Sequence, residues 1–309
     1  MEHNFKTDLT VDWCPGCGDF GIISSITQAL TELNLDPKGV VAVSGIGCAG
    51  KTPHYLNIAG AHTLHGRSIP YATGVKLANP KLKVLVTGGD GDMLSIGAGH
   101  FVAEGRRNSG LTIMVYDNEV YGLTKGQASP TMSLGQQTKG LARANIFGKL
   151  NPISLALSAG YSMVARGFSF DMKQLKEIIK TAINHEGSAV IDILQPCPTY
   201  NNINTIEWYK QRVYKLNDDK TWNPVVTLED DEKTTSEKFS TALTRSLEWG
   251  DKIPTGIFYQ NKAIPPFTKR LANNVPNYLE VTPAEQRVST ADGYTVVDPR
   301  ATFEDKILY

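Results

Sequence analysis

The stretch from Thr87 to Ala128 constrains this chain most: TGGDGDMLSIGAGHFVAEGRRNSGLTIMVYDNEVYGLTKGQA. An apolar run, Leu82 to Val86, ends in Gly88-Gly89-Asp90-Gly91-Asp92, and a second, Leu111 to Tyr116, ends in Asp117-Asn118. A helical segment lies between them. Two buried strands joined by a crossover helix form the unit of a parallel sheet. Such sheets bind ligands at the carboxyl edge of their strands. Glycines there let the main chain approach a ligand closely. Asp90 and Asn118 are a candidate pair of oxygen ligands for Mg²⁺, an ion that takes one or two carboxylates and completes its shell with phosphates. Taken alone, Gly-Asp-Gly also fits a tight turn, with Asn118 as a strand-end cap.

The spacing favours the ligand reading, because the interval between Gly91 and Asn118 holds one helix and one strand. The pattern resembles the thiamine diphosphate signature, a Gly-Asp-Gly followed after one βαβ unit by Asn. That pattern often carries two asparagines, whereas here Asp117 precedes Asn118. The inner ligand is kept. The carbonyl of Val120 is a candidate third oxygen for Mg²⁺, and Gly122 and Leu123 would then pass close to the diphosphate.

Composition narrows the class. Lys plus Arg and Asp plus Glu both number 31, so formal charge is zero and no electrostatic footprint points to nucleic acid or an anionic membrane. There is no apolar run of about 18 residues, hence no spanning helix. The N-terminus, MEHNFKTDLTVDW, lacks the charged-then-apolar order of a signal peptide. The expected location is the cytoplasm. Cysteines number four in 309 residues, too few for a disulfide scaffold.

Cys14-Pro15-Gly16-Cys17-Gly18 precedes an amphipathic helix expected from Asp19 to Leu33. Cys48 sits in Gly45-Ile46-Gly47-Cys48-Ala49-Gly50 after an expected strand, Val40 to Val43. Cys197 sits in Gln195-Pro196-Cys197-Pro198 after another, Ala189 to Leu194. A parallel sheet sends its strand ends to one edge, so all four thiols are expected to meet there. Four converging thiolates make a tetrahedral zinc site or hold a four-iron cluster, and Cys-x-x-Cys alone also fits a redox dithiol. Cys14 and Cys197 are each followed by Pro, which lends a rigid turn. Residues 65–67, His-Gly-Arg, precede a small-residue helix and can bring an imidazole and a guanidinium near phosphate oxygens.

Residues 127–150 lack periodicity and hold Pro130, Gly135, Gly140 and Gly148. A loop that long in a compact α/β domain is usually functional, often a lid. The α/β rhythm then resumes: helix Ile153 to Ser158, strand Ser162 to Arg166, and helix Asp171 to Asn184 with Asp171 as N-cap. Beyond Thr199 the pattern predicts a short helix over Glu207 to Leu216 and a charged loop over Asn217 to Lys233. A helix follows over Thr235 to Trp249, a strand over Thr255 to Tyr259, and an extended tail from Pro265-Pro266 to Tyr309. We therefore expect a parallel-sheet α/β fold with helices on both faces. Residues 1–200 would form the cofactor-binding α/β domain and 201–309 a C-terminal extension, an arm on the core or on a partner.

Together these motifs resemble the β subunit of the 2-oxoacid:ferredoxin oxidoreductases, in particular the two-subunit archaeal kind. The carriers are Cys-Pro-Gly-Cys-Gly at 14–18, Gly-Ile-Gly-Cys at 45–48, His-Gly-Arg at 65–67 and Gly-Asp-Gly-Asp at 89–92. Asn118 with Tyr-Gly-Leu-Thr at 121–124, and Cys197, complete the set. The resemblance implies oxidative decarboxylation of a 2-oxoacid to acyl-CoA and CO₂, with electrons passed to ferredoxin. It implies thiamine diphosphate, Mg²⁺ held by Asp90, Asn118 and Val120, and one [4Fe-4S] cluster held by Cys14, Cys17, Cys48 and Cys197. Redox-inert zinc cannot carry electrons one at a time. It also places Ile46, Gly47, Cys48, Ala49, His65, Gly91, Asp92, Gly122 and Leu123 against the cofactor.

Thiamine diphosphate enzymes use two related domains, and only the diphosphate-binding one is legible here. The resemblance therefore implies an α partner, or a fused γ–α one, supplying the rest of the substrate and CoA site. Lys51 and Lys125 are candidate contacts for the substrate carboxylate. Two other readings fit parts of the pattern: a non-redox thiamine diphosphate-dependent decarboxylase or carboligase, and a zinc-stabilised scaffold subunit.

Overall fold

The computed structural model describes residues 4–293. Helix α1 (Asp19–Glu32) leads into β1 (Val40–Ser44) and a short edge strand, β2 (Ala59–His62). Then come α2 (Ser68–Ala78), β3 (Lys83–Gly89), α3 (Ala98–Arg107) and β4 (Leu111–Asp117). A hairpin of β5 (Val120–Tyr121) and β6 (Gln127–Ala128) opens the long loop that ends at α4 (Pro152–Ala159). Strand β7 (Met163–Phe168), helix α5 (Met172–Asn184) and strand β8 (Ala189–Leu194) restore the alternation. The last third adds α6 (Ile206–Lys210), β9 (Val213–Lys215), β10 (Val225–Val226), α7 (Glu232–Ser246), β11 (Ile253–Asn261) and α8 (Phe267–Ala272).

The sheet runs β10-β11-β7-β8-β4-β3-β1-β2, with β9 joined to β11, and is parallel except where β11 meets β7. Strand β4 lies inside it, and all its residues are buried, which is why LTIMVYD reads as one apolar run. Successive side chains face opposite ways. Val43, Val86, Ile113, Val115 and Val190 pack under α2, α3, α4 and α7. Ala42, Leu85, Met114, Tyr116 and Ile191 pack under α1 and α5. Helices thus cover both faces, as expected. Helix α5 shows the mechanism: Leu175, Ile178, Ile179, Ala182 and Ile183 recur at helical spacing and are buried. Each large apolar side chain so buried contributes about 1.5–3 kcal/mol. Asp171 caps the helix, accepting from the N–H of Gln174 at 3.1 Å.

Local differences from expectation have local causes. The helix expected to reach Leu216 stops at Lys210, because Val213–Lys215 pairs with Ile253–Thr255. Sheet pairing there overrides helical propensity. Ala59–His62, made of small residues, carries no strand signal of its own and is held by its register on β1. Pro266 starts the one-turn-and-a-half α8 rather than continuing an extended tail, and residues 294–309 lie outside the described residues. Residues 201–261 supply strands of the sheet itself, and after β11 the chain packs back on the core. Phe267 N donates to Asn108 O at 2.8 Å, and Tyr278 Oη to Leu77 O at 2.8 Å. Among the described residues no helix is long and apolar enough to cross a membrane.

The register decides where chemistry gathers. Ser44 lies opposite Thr87, Gly89 opposite Tyr116, and Asp117 opposite Leu194. Four strand ends therefore stand side by side, and the loops after them share one edge.

Candidate active site

Two cavities open at that edge. The first holds about 210 Å³ and is lined by Ile46, Gly47, Cys48, Ala49, His65, Gly89–Asp92, Asn118 and Val120–Thr124. Every residue expected against the cofactor or Mg²⁺, apart from the three other cysteines, is in that lining. The second holds about 200 Å³ and is lined by all four cysteines with Trp13, Asp19, Lys51, Gln195 and the 198–200 turn. Cys48, Asn118, Gly122 and Leu123 belong to both walls.

Asp90 is 1% exposed, at the end of β3. Its Oδ2 accepts from Glu119 N at 3.1 Å and from the hydroxyls of Ser129 and Thr131. Thr131 Oγ1 also lies 2.7 Å from Asp117 Oδ1, so its single proton serves one of the two carboxyls at a time. Burial pushes the Asp90 carboxyl up, and burial with Asp192 and Asp90 nearby pushes Asp117 well up. The buried carboxyls of Asp90, Asp117, Glu119 and Asp192 face only Lys149 and Arg166 as cations within this network. A divalent cation beside Asp90 would restore the balance. Asn118 Oδ1 accepts from Val120 N at 3.0 Å, which holds the amide at the cavity wall. The donor set therefore fits Mg²⁺ with a diphosphate.

Asp92, expected against the cofactor, also organises the loops around it through its side chain. Its Oδ1 accepts from Ile46 N at 3.1 Å, Gly66 N at 2.8 Å and His65 Nδ1 at 2.6 Å. One carboxylate thus ties the Gly45–Ala49 loop to the His65 turn and leaves His65 Nε2 as the ring's other polar atom. Gly45 is required: a Cβ there would stand 1.9 Å from Asp92 Oδ2. Gly91 is equally confined, since its Cβ would meet the Tyr121 ring at 2.2 Å.

The four cysteines are free thiols; Cys14 is exposed, Cys48 half-buried, Cys17 and Cys197 buried. A Cβ on Gly122 would lie 3.7 Å from Cys48 Sγ and 3.9 Å from Cys197 Sγ, so both sulfurs abut the turn that also walls the first cavity. Burial, then Asp19, pushes the Cys48 thiol up to about 11, and burial raises Cys17 and Cys197. Among the described residues no group of three or more His, Cys, Asp or Glu is placed to hold a metal ion as it stands.

Some candidates lie elsewhere. Lys51 is paired with Asp12 at 2.8 Å and lines the thiol cavity, not the first one. Lys125 is exposed in the turn after Leu123, with φ of 83°. That left-handed backbone is costly for a residue with a side chain. The long loop is anchored at two points, Met132 and Asn145. Met132 is fully buried, and Asn145 Nδ2 donates to Met132 O, Ser133 O and Phe147 O. Its contribution to the site, Ser129 and Thr131, was missed because hydroxyls in an aperiodic loop carry no spacing signal.

Residues 45–193 match the family model described as thiamine pyrophosphate enzyme, C-terminal TPP binding domain. Residues 197–274 match the model for the C terminal of the pyruvate ferredoxin oxidoreductase beta chain. The chain is 56% identical over 291 residues to a 2-oxoacid:ferredoxin oxidoreductase subunit beta of Sulfolobus sp., covering 93% of this chain and 94% of that one. It is 53% identical over 297 residues to 2-oxoacid:ferredoxin oxidoreductase 1, subunit beta, of Aeropyrum pernix, covering 96% and 92%. The structure resembles a 2-oxoglutarate:ferredoxin oxidoreductase from Magnetococcus marinus solved with 2-oxoglutarate, coenzyme A and succinyl-CoA bound. The TM-score is 0.81 at 33% identity, over 98% of this chain and 95% of the other. The chain belongs to the β subunits of the 2-oxoacid:ferredoxin oxidoreductases.

Proposed function

We propose that this chain carries the decarboxylating and first electron-accepting half of a CoA-dependent 2-oxoacid:ferredoxin oxidoreductase, completed by an α subunit. In this reading Asp90, Asn118 and the Val120 carbonyl hold Mg²⁺, and Cys14, Cys17, Cys48 and Cys197 hold one [4Fe-4S] cluster. The observation that carries it is the common wall: Cys48, Asn118, Gly122 and Leu123 line both cavities. When bound, thiamine diphosphate supplies the electron sink for loss of CO₂, and the cluster accepts electrons one at a time. The residues of this chain do the rest. Asp90 and Asn118 anchor the metal, the amides around Gly91 and Gly122 take the diphosphate, and Asp92 fixes the His65 tautomer.

A cavity of about 200 Å³ between the thiols suits a cluster better than one zinc ion drawn in by direct contact. Four free thiols suit a reducing compartment, the cytoplasm. We place the division at residue 200 on function, because the cavities draw on residues up to Tyr200, while the chain beyond supplies β9, β10 and β11 at one side of the same sheet. We assign Lys125, rather than Lys51, to a second carboxylate on the substrate.

The test is cofactor analysis of the complex with its α subunit. Iron, sulfide and thiamine are expected together, with visible absorption that bleaches on reduction. A colourless complex with bound zinc would contradict the reading. This chain expressed alone is expected to show no decarboxylation.

A further inference from the structure

Gln195, the first residue after β8, is 1% exposed, lines the thiol cavity and is bonded to Asn118, which walls both cavities. Its main-chain N–H donates to Asp117 O at 2.8 Å, which ties the β8 end to the β4 end. The direction of its amide is fixed from outside. Nε2 donates to Pro196 O at 3.0 Å, and a carbonyl can only accept. Nε2 also donates to Cys17 Sγ at 3.2 Å. The oxygen is then the atom left for Asn118, whose Nδ2 donates to it at 2.7 Å. The other end is fixed independently, because Val120 N–H can only donate, and it reaches Asn118 Oδ1 at 3.0 Å. Every amide orientation in the chain Cys17–Gln195–Asn118–Val120 is thereby determined. Gly18 makes the room; a Cβ on it would stand 2.9 Å from Gln195 Cγ.

We propose that Gln195 is a positioning residue serving both prosthetic sites, aiming the Asn118 oxygen at the magnesium side while donating a hydrogen bond to the Cys17 sulfur. The proposal rests on the reading above and goes one step past it. A flipped Asn118 would turn an N–H₂ toward the cation. A donor on a ligating sulfur offsets the charge gained on reduction and raises the cluster potential.

The experiment uses the complex with the α subunit, carrying Gln195→Met or Gln195→Glu. Two quantities are measured. One is the Kd of Mg²⁺-thiamine diphosphate for the cofactor-stripped complex, by fluorescence titration. The other is the cluster midpoint potential, by EPR redox titration. Met keeps the volume and loses all three side-chain hydrogen bonds, to Asn118, Cys17 and Pro196. Its Kd should rise about 10–100-fold, the usual cost of an outer-shell partner. Its reduced-to-oxidised ratio at fixed potential should fall about tenfold, a drop of about 59 mV for one electron. Glu still accepts from Asn118 Nδ2, so Kd should stay near wild type, while the potential falls because the donor is gone and a negative charge is added. That split is the signature. Unmoved values in both variants overturn the proposal, as does loss of the cluster in both, which would make Gln195 a packing residue only. A wild-type complex without a reducible cluster overturns the earlier reading instead.

Discussion

The two ends of the sheet bury polar groups in opposite ways. At the amino ends of β4, β7 and β8, most of the groups satisfy one another, Asn108 Nδ2 being the buried exception. Glu104 accepts from Ser109 N at 2.8 Å, Ser188 Oγ at 2.7 Å, Ser109 Oγ at 3.0 Å and Thr73 Oγ1 at 3.2 Å. Asn108 Oδ1 accepts from Ser188 N at 2.6 Å and Ser162 Oγ at 2.8 Å. At the carboxyl ends, Asp92 Oδ2, Asp117 Oδ2, Glu119 Oε2 and Asp192 Oδ1 are buried with no hydrogen-bond partner. A satisfied network rigidifies, whereas an unmatched one is costly and persists where a ligand or cation completes it. One end holds the fold together; the other is built for something not part of the chain.

Replacing residues at each end separates the two roles. Asp90→Ala should abolish thiamine diphosphate-dependent turnover, while the unfolding free energy of the cofactor-free chain stays within about 2 kcal/mol of wild type. Asp90 is hydrogen-bonded by Glu119 N, Ser129 and Thr131, but it stands among buried like charges, so relief of that repulsion offsets much of the lost hydrogen bonding. Enzyme assay beside urea unfolding checks it; large losses in both would erase the contrast. Glu104→Ala should do the reverse. It strands three donors, Ser109 N, Ser109 Oγ and Ser188 Oγ, costs about 3–5 kcal/mol of stability, and leaves the Kd for Mg²⁺-thiamine diphosphate unchanged.

His185 provides a pH probe at the structural end. It meets Ser162 Oγ at 2.8 Å, and burial, then Lys262, pushes its pKa down from 6.5 to about 4. The unfolded chain therefore binds more protons between those values, so stability rises with pH through that window. The contribution is fully present above about pH 6.5 and lost as pH falls to about 4, a swing of about 3 kcal/mol. In His185→Gln this part of the slope should vanish, and the difference between the two urea-unfolding profiles measures it. Equal profiles would remove His185 from the account.

The smallest effect belongs to Lys125. Lys125→Ala should cut kcat/KM for 2-oxoglutarate about tenfold more than for pyruvate, the worth of one charge pair of about 1.4 kcal/mol. Equal losses on the two substrates would take Lys125 out of substrate selection.

The carboxyl end was far more legible in the sequence than the amino end. Glycines, cysteines and Asn118 have few alternative uses, and their place after apolar runs located them on one edge. Glu104, Asn108, Ser162 and Ser188 carry no such signal, because their partners are assembled by tertiary contact alone. The same reason hid Ser129 and Thr131 under Asp90, and the side-chain role of Asp92. Strand β2 escaped because Ala-Gly-Ala-His has no β propensity, and Val213–Lys215 because pairing with β11 outweighed local preference.

The central claim is that the coenzyme and the electron acceptor share one wall of this sheet edge. Anomalous diffraction at the iron edge from the complex loaded with Mg²⁺ and thiamine diphosphate tests it most directly. The account predicts a multi-iron peak ringed by Cys14, Cys17, Cys48 and Cys197, with the diphosphate across Gly122 against Gly91 and Asp90. An iron-free thiol cavity, or a diphosphate bound away from Asp90 and Asn118, would contradict it.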